Sequence, residues 1–240
     1  MNLADYAALS FDCYGTLIDW ESGIGAVLTA WSRDNDLDLD QEALLTYYAE
    51  HEARTEAQLP HALYPDILAR SFASLGRQLG VTVAAQWAAA LGRSVPDWPA
   101  FPDSPDALTR LARHYRLIIV SNVDRACFAA SNSRLGVSFD RIITAEDVGS
   151  YKPAAGHFDA LREALDALGV GTGKHLHVAQ SLFHDHVPAK EAGLPTVWIN
   201  RRHDRPGWGA TPQPPAPVRP DWEFPSMRAF AAAAQTGFRS

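Results

Sequence analysis

The segment Ala8-Leu9-Ser10-Phe11-Asp12-Cys13-Tyr14-Gly15-Thr16-Leu17 decides how this chain is read. Its first four residues are a short, mostly apolar run, and Asp12 ends it. Gly15 and Thr16 follow as turn formers. An apolar run closed by turn residues is the pattern of a buried strand, with its carboxyl end at Asp12.

Downstream come helices with no strand between them. Ile24, Val27, Leu28 and Trp31 recur at helical spacing, and residues 34–40 form a polar, acidic loop. Residues 41–58 predict a second helix whose apolar stripe carries Leu45 and Tyr48, with Glu52 on the same stripe. A third helix follows Tyr64-Pro65, and a fourth carries Val83, Trp87 and Leu91. Together these predict one small bundle. Residues 92–105 are a proline-rich connector ending in Ser104-Pro105, which predicts a helix start with Ser104 as N-cap.

The pattern then alternates. Strands are expected at residues 117–120, 141–144, 176–179 and 196–199. Helices are expected at residues 125–135, around Phe158, Leu161 and Leu165, and at residues 188–192. Trp222 falls in a last short strand and residues 226–234 in a terminal helix. Strands alternating with helices predict a parallel sheet covered on both faces, an α/β class. The expected organisation is a core of residues 1–17 and 99–240, with residues 18–98 as a helical cap.

The 240 residues carry a formal charge of −7. An acidic balance argues against nucleic acid as a partner, because that binding needs a basic face. No apolar run approaches the roughly 20 residues of a membrane span, so no membrane partner is expected. Two cysteines, Cys13 and Cys127, without a CxxC pair fit a reducing compartment. The first ten residues lack the features of a signal peptide. The expected location is the cytoplasm.

In open parallel sheets, ligands bind beyond the carboxyl ends of the strands. The polar residues at those ends are Asp12, then Ser121 and Asn122, then Lys152 in Ser150-Tyr151-Lys152-Pro153, and Asp185 in the loop after the strand at 176–179. A nucleophilic carboxylate needs a cation to hold it ionised and aimed, which suits Lys152. A second carboxylate can position or activate water, which suits Asp185. Each residue alone is an ordinary turn or cap residue. Their order and spacing carry the specificity.

With these four segments in hand, the chain resembles the haloacid dehalogenase superfamily along nearly its whole length, and its 2-haloacid dehalogenase branch in particular. Phe11 to Leu17, Ser121-Asn122, Lys152-Pro153 and the Asp185 loop are similar to that family's four motifs. The resemblance implies a Rossmann-like parallel-sheet core with an inserted helical cap, and a homodimer. Most members are magnesium-dependent phosphatases that carry a second Asp two residues after the nucleophile and an acidic pair in the fourth motif. This chain has Tyr14 and Ala179-Gln180 there. Magnesium wants hard oxygen ligands, so a phosphatase is disfavoured and no metal or other cofactor is expected.

Tyr14 is what the dehalogenase branch carries. By that resemblance Asp12 displaces a leaving group from saturated carbon, forms an ester, and is freed by water, with Lys152 and Asp185 as the other catalytic residues. Backbone N–H groups near Cys13 and Tyr14 would steady the oxyanion. Ser121 and Asn122 would anchor the substrate, and Thr16, Tyr48 and Glu52 complete the expected substrate-binding set. The implied substrate is a small carboxylic or amino acid.

The departures concern the leaving group. Tyr47 stands where the dehalogenases place a halide-gripping Arg, with Arg54 the nearest downstream. Phe158 replaces a Tyr, and Gln180 and Leu182 replace a Ser and an Asn. Glu52 on an apolar stripe either pairs with His51, Arg54 or Arg70, or points to solvent, or faces the site to bind a cationic group. The leading expectation is carbon–halide hydrolysis. Three alternatives stand beside it: the same attack on a C–N bond, as in opening azetidine-2-carboxylate; a magnesium phosphatase; and a non-catalytic binder of the same fold. His184-Asp185-His186 suggests a metal site, but consecutive residues do not readily converge on one ion.

Overall fold

In the computed structural model, residues 2–238 are described. The first strand, β1 (Ala8–Phe11), is buried along its length. Five helices follow before the next strand, and the first four form the insertion: α1 (Trp20–Asp34), α2 (Gln41–Gln58), α3 (Tyr64–Gln78) and α4 (Ala85–Gly92). The chain then runs through α5 (Ser104–Leu111), β2 (Arg116–Ser121), α6 (Arg125–Leu135), β3 (Arg141–Thr144), α7 (Ala145–Val148) and α8 (Gly156–Ala167). It ends with β4 (His175–Ala179), α9 (Val187–Glu191), β5 (Thr196–Ile199), β6 (Trp222–Phe224) and α10 (Met227–Gly237).

The six strands form one sheet in the order β3-β2-β1-β4-β5-β6, with every pair parallel. This is the expected α/β class. Because β1 lies between β2 and β4, the chain segments leaving those three strands emerge side by side at one sheet edge. Side chains alternate across the sheet. Ala8, Ile118 and Val120 pack with Phe158, Leu161 and Leu165 of α8 on one face. Leu9, Phe11 and Ile119 join a larger core on the other, with Leu108 of α5 and Phe230 of α10. Among the described residues no helix is long and apolar enough to cross a membrane.

The four-helix insertion leaves and re-enters the sheet through paired backbone. Phe101 donates its N–H to Leu17 O (3.0 Å), Asp19 to Pro99 O (2.8 Å), and Ile18 bridges Ala100. A second tie comes from the loop after β5. There buried Arg202 bonds Glu21 of α1 (3.0 Å) and Glu42 of α2. Helix α1 crosses the return segment at Gly23, where a Cβ would meet Trp98 Cδ1 at 2.1 Å.

Two local readings change. Ser104 is the first residue of α5 and caps nothing; Asp103 precedes it, and its carboxylate instead takes Arg201 (2.9 Å) and the Arg228 N–H (3.0 Å). Short α7 and a π-helical turn at Leu182–His186 add to the expected elements; neither segment carries an apolar stripe at helical spacing.

Gly23→Ala is expected to lower stability by about 1–3 kcal/mol, as overpacking of a tight contact does. Urea unfolding followed by tryptophan fluorescence checks this; an unchanged midpoint would mean that Trp98 moves aside freely.

Candidate active site

The site is built around one ammonium. Lys152 Nζ donates to Asp12 Oδ1 (2.9 Å), Asp185 Oδ1 (2.7 Å) and the carbonyl oxygen of Val120 (2.9 Å). A lysine ammonium has three N–H groups, so all three are taken. The acceptors come from the end of β1, the end of β2 and the turn after β4, the three segments the sheet order brings together. The Lys152 side chain is 1% exposed. Burial works against its charge, but Asp12 and Asp185 hold its pKa above the ordinary lysine value.

Asp12 is fixed at both oxygens. Its Oδ2 accepts from Thr16 Oγ1 (2.6 Å), and Thr16 Oγ1 accepts from the Gln180 N–H (2.9 Å). A backbone N–H can only donate, so the Thr16 proton points at Asp12 and favours its carboxylate. Burial pushes the Asp12 and Asp185 carboxyls up, and the Lys152 ammonium opposes that rise. Asn122 holds the lysine loop: its Oδ1 accepts the Lys152 N–H (2.6 Å) and its Nδ2 donates to Lys152 O (3.1 Å). Its second Nδ2 N–H faces the cavity, 3.4 Å from each Glu56 carboxyl oxygen. Ser121 Oγ is buried without a hydrogen-bond partner and stands outside the cavity lining.

Asp185 is presented by the π-helical turn at Leu182–His186, which Ser181 caps by accepting the His184 N–H (2.9 Å). Such turns are often found at functional sites. The neighbouring histidines diverge: His186 bonds Ala179 O (3.0 Å), while His184 faces Glu56 across 3.8 Å. Among the described residues no cluster of His, Cys, Asp or Glu has the arrangement of a metal site.

A cavity opens above Asp12, with about 30 Å³ open to the centre of a water molecule. Asp12, Tyr14, Asn122, Lys152 and Asp185 form its floor, and Glu52, Glu56 and Tyr64 of the insertion its roof. So Glu52 faces the site. The partners considered for it in sequence lie elsewhere: His51 bonds Ser74 and Gln78, and Arg54 and Arg70 are exposed. Glu52 Oε1 accepts from Tyr64 Oη (2.9 Å), and Tyr48 packs beside it. Burial pushes the Glu52 carboxyl up to about 8, and pushes Glu56 well above the ordinary carboxylate range, reinforced by Glu52. Cys13 is buried and does not line the cavity, Tyr14 bonds Ser131 (2.7 Å), and Tyr47 is 38% exposed.

Sequence pattern did not place Glu56 or Tyr64 in the site, and His184, read there only as a candidate metal ligand, lines the cavity. Glu56 carried a usable signal, since it follows Glu52 by four residues and so shares its helix face.

A family model for haloacid dehalogenase-like hydrolases matches residues 6–193. This chain belongs to the haloacid dehalogenase-like hydrolases. Solved structures share its fold. The L-2-haloacid dehalogenase RSc1362 superposes with a TM-score of 0.77 at 22% identity, covering 96% of this chain and 99% of that one. The L-2-haloacid dehalogenase from Xanthobacter autotrophicus, with chloropropionic acid covalently bound, gives 0.74 at 18%, covering 96% and 98%. The magnesium-bound hydrolase YfnB from Bacillus subtilis gives 0.75 at 19%, covering 96% and 99%. No curated protein matches significantly.

Stability should depend on pH through the buried acid at the roof. The Glu52 pKa rises from 4.5 to about 8 on folding, so its contribution is full below pH 4.5 and is lost as pH rises toward 8. Glu52→Gln should therefore gain stability relative to the parent between pH 5 and pH 8. Urea midpoints at the two pH values test this; a constant difference would place the residue-52 carboxyl in solvent.

Proposed function

We propose that this protein is a metal-independent hydrolase in which Asp12 attacks a saturated carbon of a small 2-substituted carboxylic acid and forms an ester that water cleaves. A carboxylate held ionised by a buried ammonium and a hydroxyl proton supports the first step. An adjacent carboxylate supports the second. In the alkylation step the Asp12 oxygen bonds to carbon as the leaving group departs with its electron pair. Magnesium does not suit this donor set. The Lys152 ammonium occupies the gap between Asp12 and Asp185, and Tyr14, Ala179 and Gln180 stand where the phosphatases carry acids.

The leaving group we favour is a nitrogen, with an amino-acid-like substrate such as azetidine-2-carboxylate. One observation carries this: two buried carboxyl groups, Glu52 and Glu56, roof a cavity whose lysine has no N–H to spare. A departing halide gains nothing from carboxylates, whereas a substrate ammonium would ionise them and be held. The carbon–halide reading keeps one support, the covalent chloropropionate seen on the Xanthobacter enzyme of the same fold.

Turnover of azetidine-2-carboxylate and 2-chloropropionate, each with and without EDTA, decides between these readings. The expected result is preference for the ring amine, with no EDTA effect. Loss of activity in EDTA would overturn the metal-free assignment, and preference for chloropropionate would restore the halide.

Glu52→Gln should lower kcat/KM for the ring amine by about 30-fold or more, since removing a buried charge partner costs about 2 kcal/mol or more, and change chloropropionate turnover little. The parent's KM for the ring amine should fall as pH rises toward 8, because the ionised Glu52 is the form that binds a cation. A flat KM profile over pH 6–9 counts against the cationic subsite.

A further inference from the structure

Behind the site, on the sheet face covered by α8, three buried polar side chains form a row in otherwise apolar surroundings. Ser10 of β1 lies opposite His177 of β4 in register, and His175 is two residues earlier on the same face. His175 Nε2 lies 2.8 Å from Ser10 Oγ, Ser10 Oγ 2.7 Å from His177 Nδ1, and His177 Nε2 3.0 Å from Asp185 Oδ1. All three side chains are fully buried. Phe158 packs against the His177 ring with ring centroids 5.3 Å apart.

One unpartnered atom sets the direction of the row. His175 Nδ1 is buried with no hydrogen-bond partner. A buried N–H left unpaired is costlier than a bare lone pair. His175 therefore carries its proton on Nε2 and donates to Ser10. Ser10 then donates to His177 Nδ1, and His177 donates from Nε2 to Asp185 Oδ1. The reverse order would strand an N–H at His175. Both rings are neutral, since burial pushes each pKa down to about 3. The bond to Asp185 is thus a hydrogen bond to an acceptor, not an ion pair.

At its far end, Asp185 Oδ1 receives both His177 and Lys152, while Oδ2 is buried without a partner on a residue that lines the cavity. We propose that His177, held in its Nε2–H tautomer by Ser10 and His175, is a positioning residue that locks Asp185 with Oδ2 as the one oxygen free to act as base. The inference rests on the reading of Asp12 as the alkylated nucleophile. Water bonds to the Asp12 carboxyl carbon as one of its protons passes to Asp185 Oδ2. The ester C–O bond breaks, and the departing alkoxide takes that proton back. The second water proton goes to solvent as Asp12 returns to its carboxylate.

Two measurements test this. In ¹⁵N-histidine-labelled protein, both His175 and His177 should show the Nε2–H tautomer; an Nδ1–H signature at His177 overturns the proposal. Separately, His177→Leu, Ser10→Ala and Asp185→Asn are each mixed with azetidine-2-carboxylate and with 2-chloropropionate and followed by mass spectrometry. Asp185→Asn should trap the Asp12 adduct. His177→Leu should form it within about threefold of the parent rate but cleave it about tenfold or more slower, as expected for a misplaced base, so that adduct accumulates. Ser10→Ala, which keeps the ring but releases its tautomer, should act in the same direction and carries the test if His177→Leu does not fold. Adduct in Asp185→Asn with none in either row variant overturns the positioning role and leaves the nucleophile standing. No adduct in any variant overturns the Asp12 reading, and the tautomer measurement then decides the row alone.

Discussion

The structure depends on where one buried ammonium finds its three acceptors. Lys152 Nζ reaches Asp12, Val120 and Asp185, and these sit on segments far apart in the chain. Burying a charge costs several kcal/mol unless partners surround it. A parallel sheet with β1 between β2 and β4 meets that demand, because the three strand ends emerge together. Such a buried network stabilises weakly in net terms, but it fixes geometry, since any displacement leaves a charge without its partner. The same saturation has a chemical consequence: a lysine with no N–H left over orients the carboxylates and has nothing to offer a substrate.

Charge balance in the cavity then shapes what it can hold. Two carboxylates share that single ammonium on the floor, and two more carboxyls hang from α2 above it. In a dry pocket the upper pair is more stable protonated, which is why burial raises both pKa values. An entering cation would reverse that preference. The roof is useful only if the insertion keeps its place. The close approach of Gly23 to Trp98 and the Arg202 bridge to Glu21 and Glu42 tie it to the sheet from two sides.

The histidines show how little neighbours in sequence need share. His184, Asp185 and His186 are consecutive yet face different partners, because a helical turn points successive side chains apart. Ser10 is more than 160 positions from His175 and His177 yet forms one hydrogen-bonded row with them, because β1 and β4 are adjacent. Alternation along the strands puts that row on the same face as Asp12, so the polar path leads to the site and not away from it.

Much was legible from residue pattern alone. Strand and helix periodicities gave the parallel α/β class. The bounds of α2, α6, β3 and β5 matched because apolar spacing and cap residues are local signals. The spacing of Asp12, Asn122, Lys152 and Asp185 pointed to one site because sheet order dictates which loops meet. What local signals could not supply was the facing of single side chains. Whether Glu52 turns toward Arg54, solvent or the cavity depends on how α2 packs. Glu56, Tyr64 and His184 join it only through that packing, and Asp103 rather than Ser104 precedes α5 because Arg201 and the α10 backbone claim its carboxylate. The sequence by itself determined the class of fold and the residues at the strand ends, since both follow from short-range periodicity. Only the tertiary structure decided which charges share a proton or a partner, because that is set by distances of a few ångströms between segments remote in the chain.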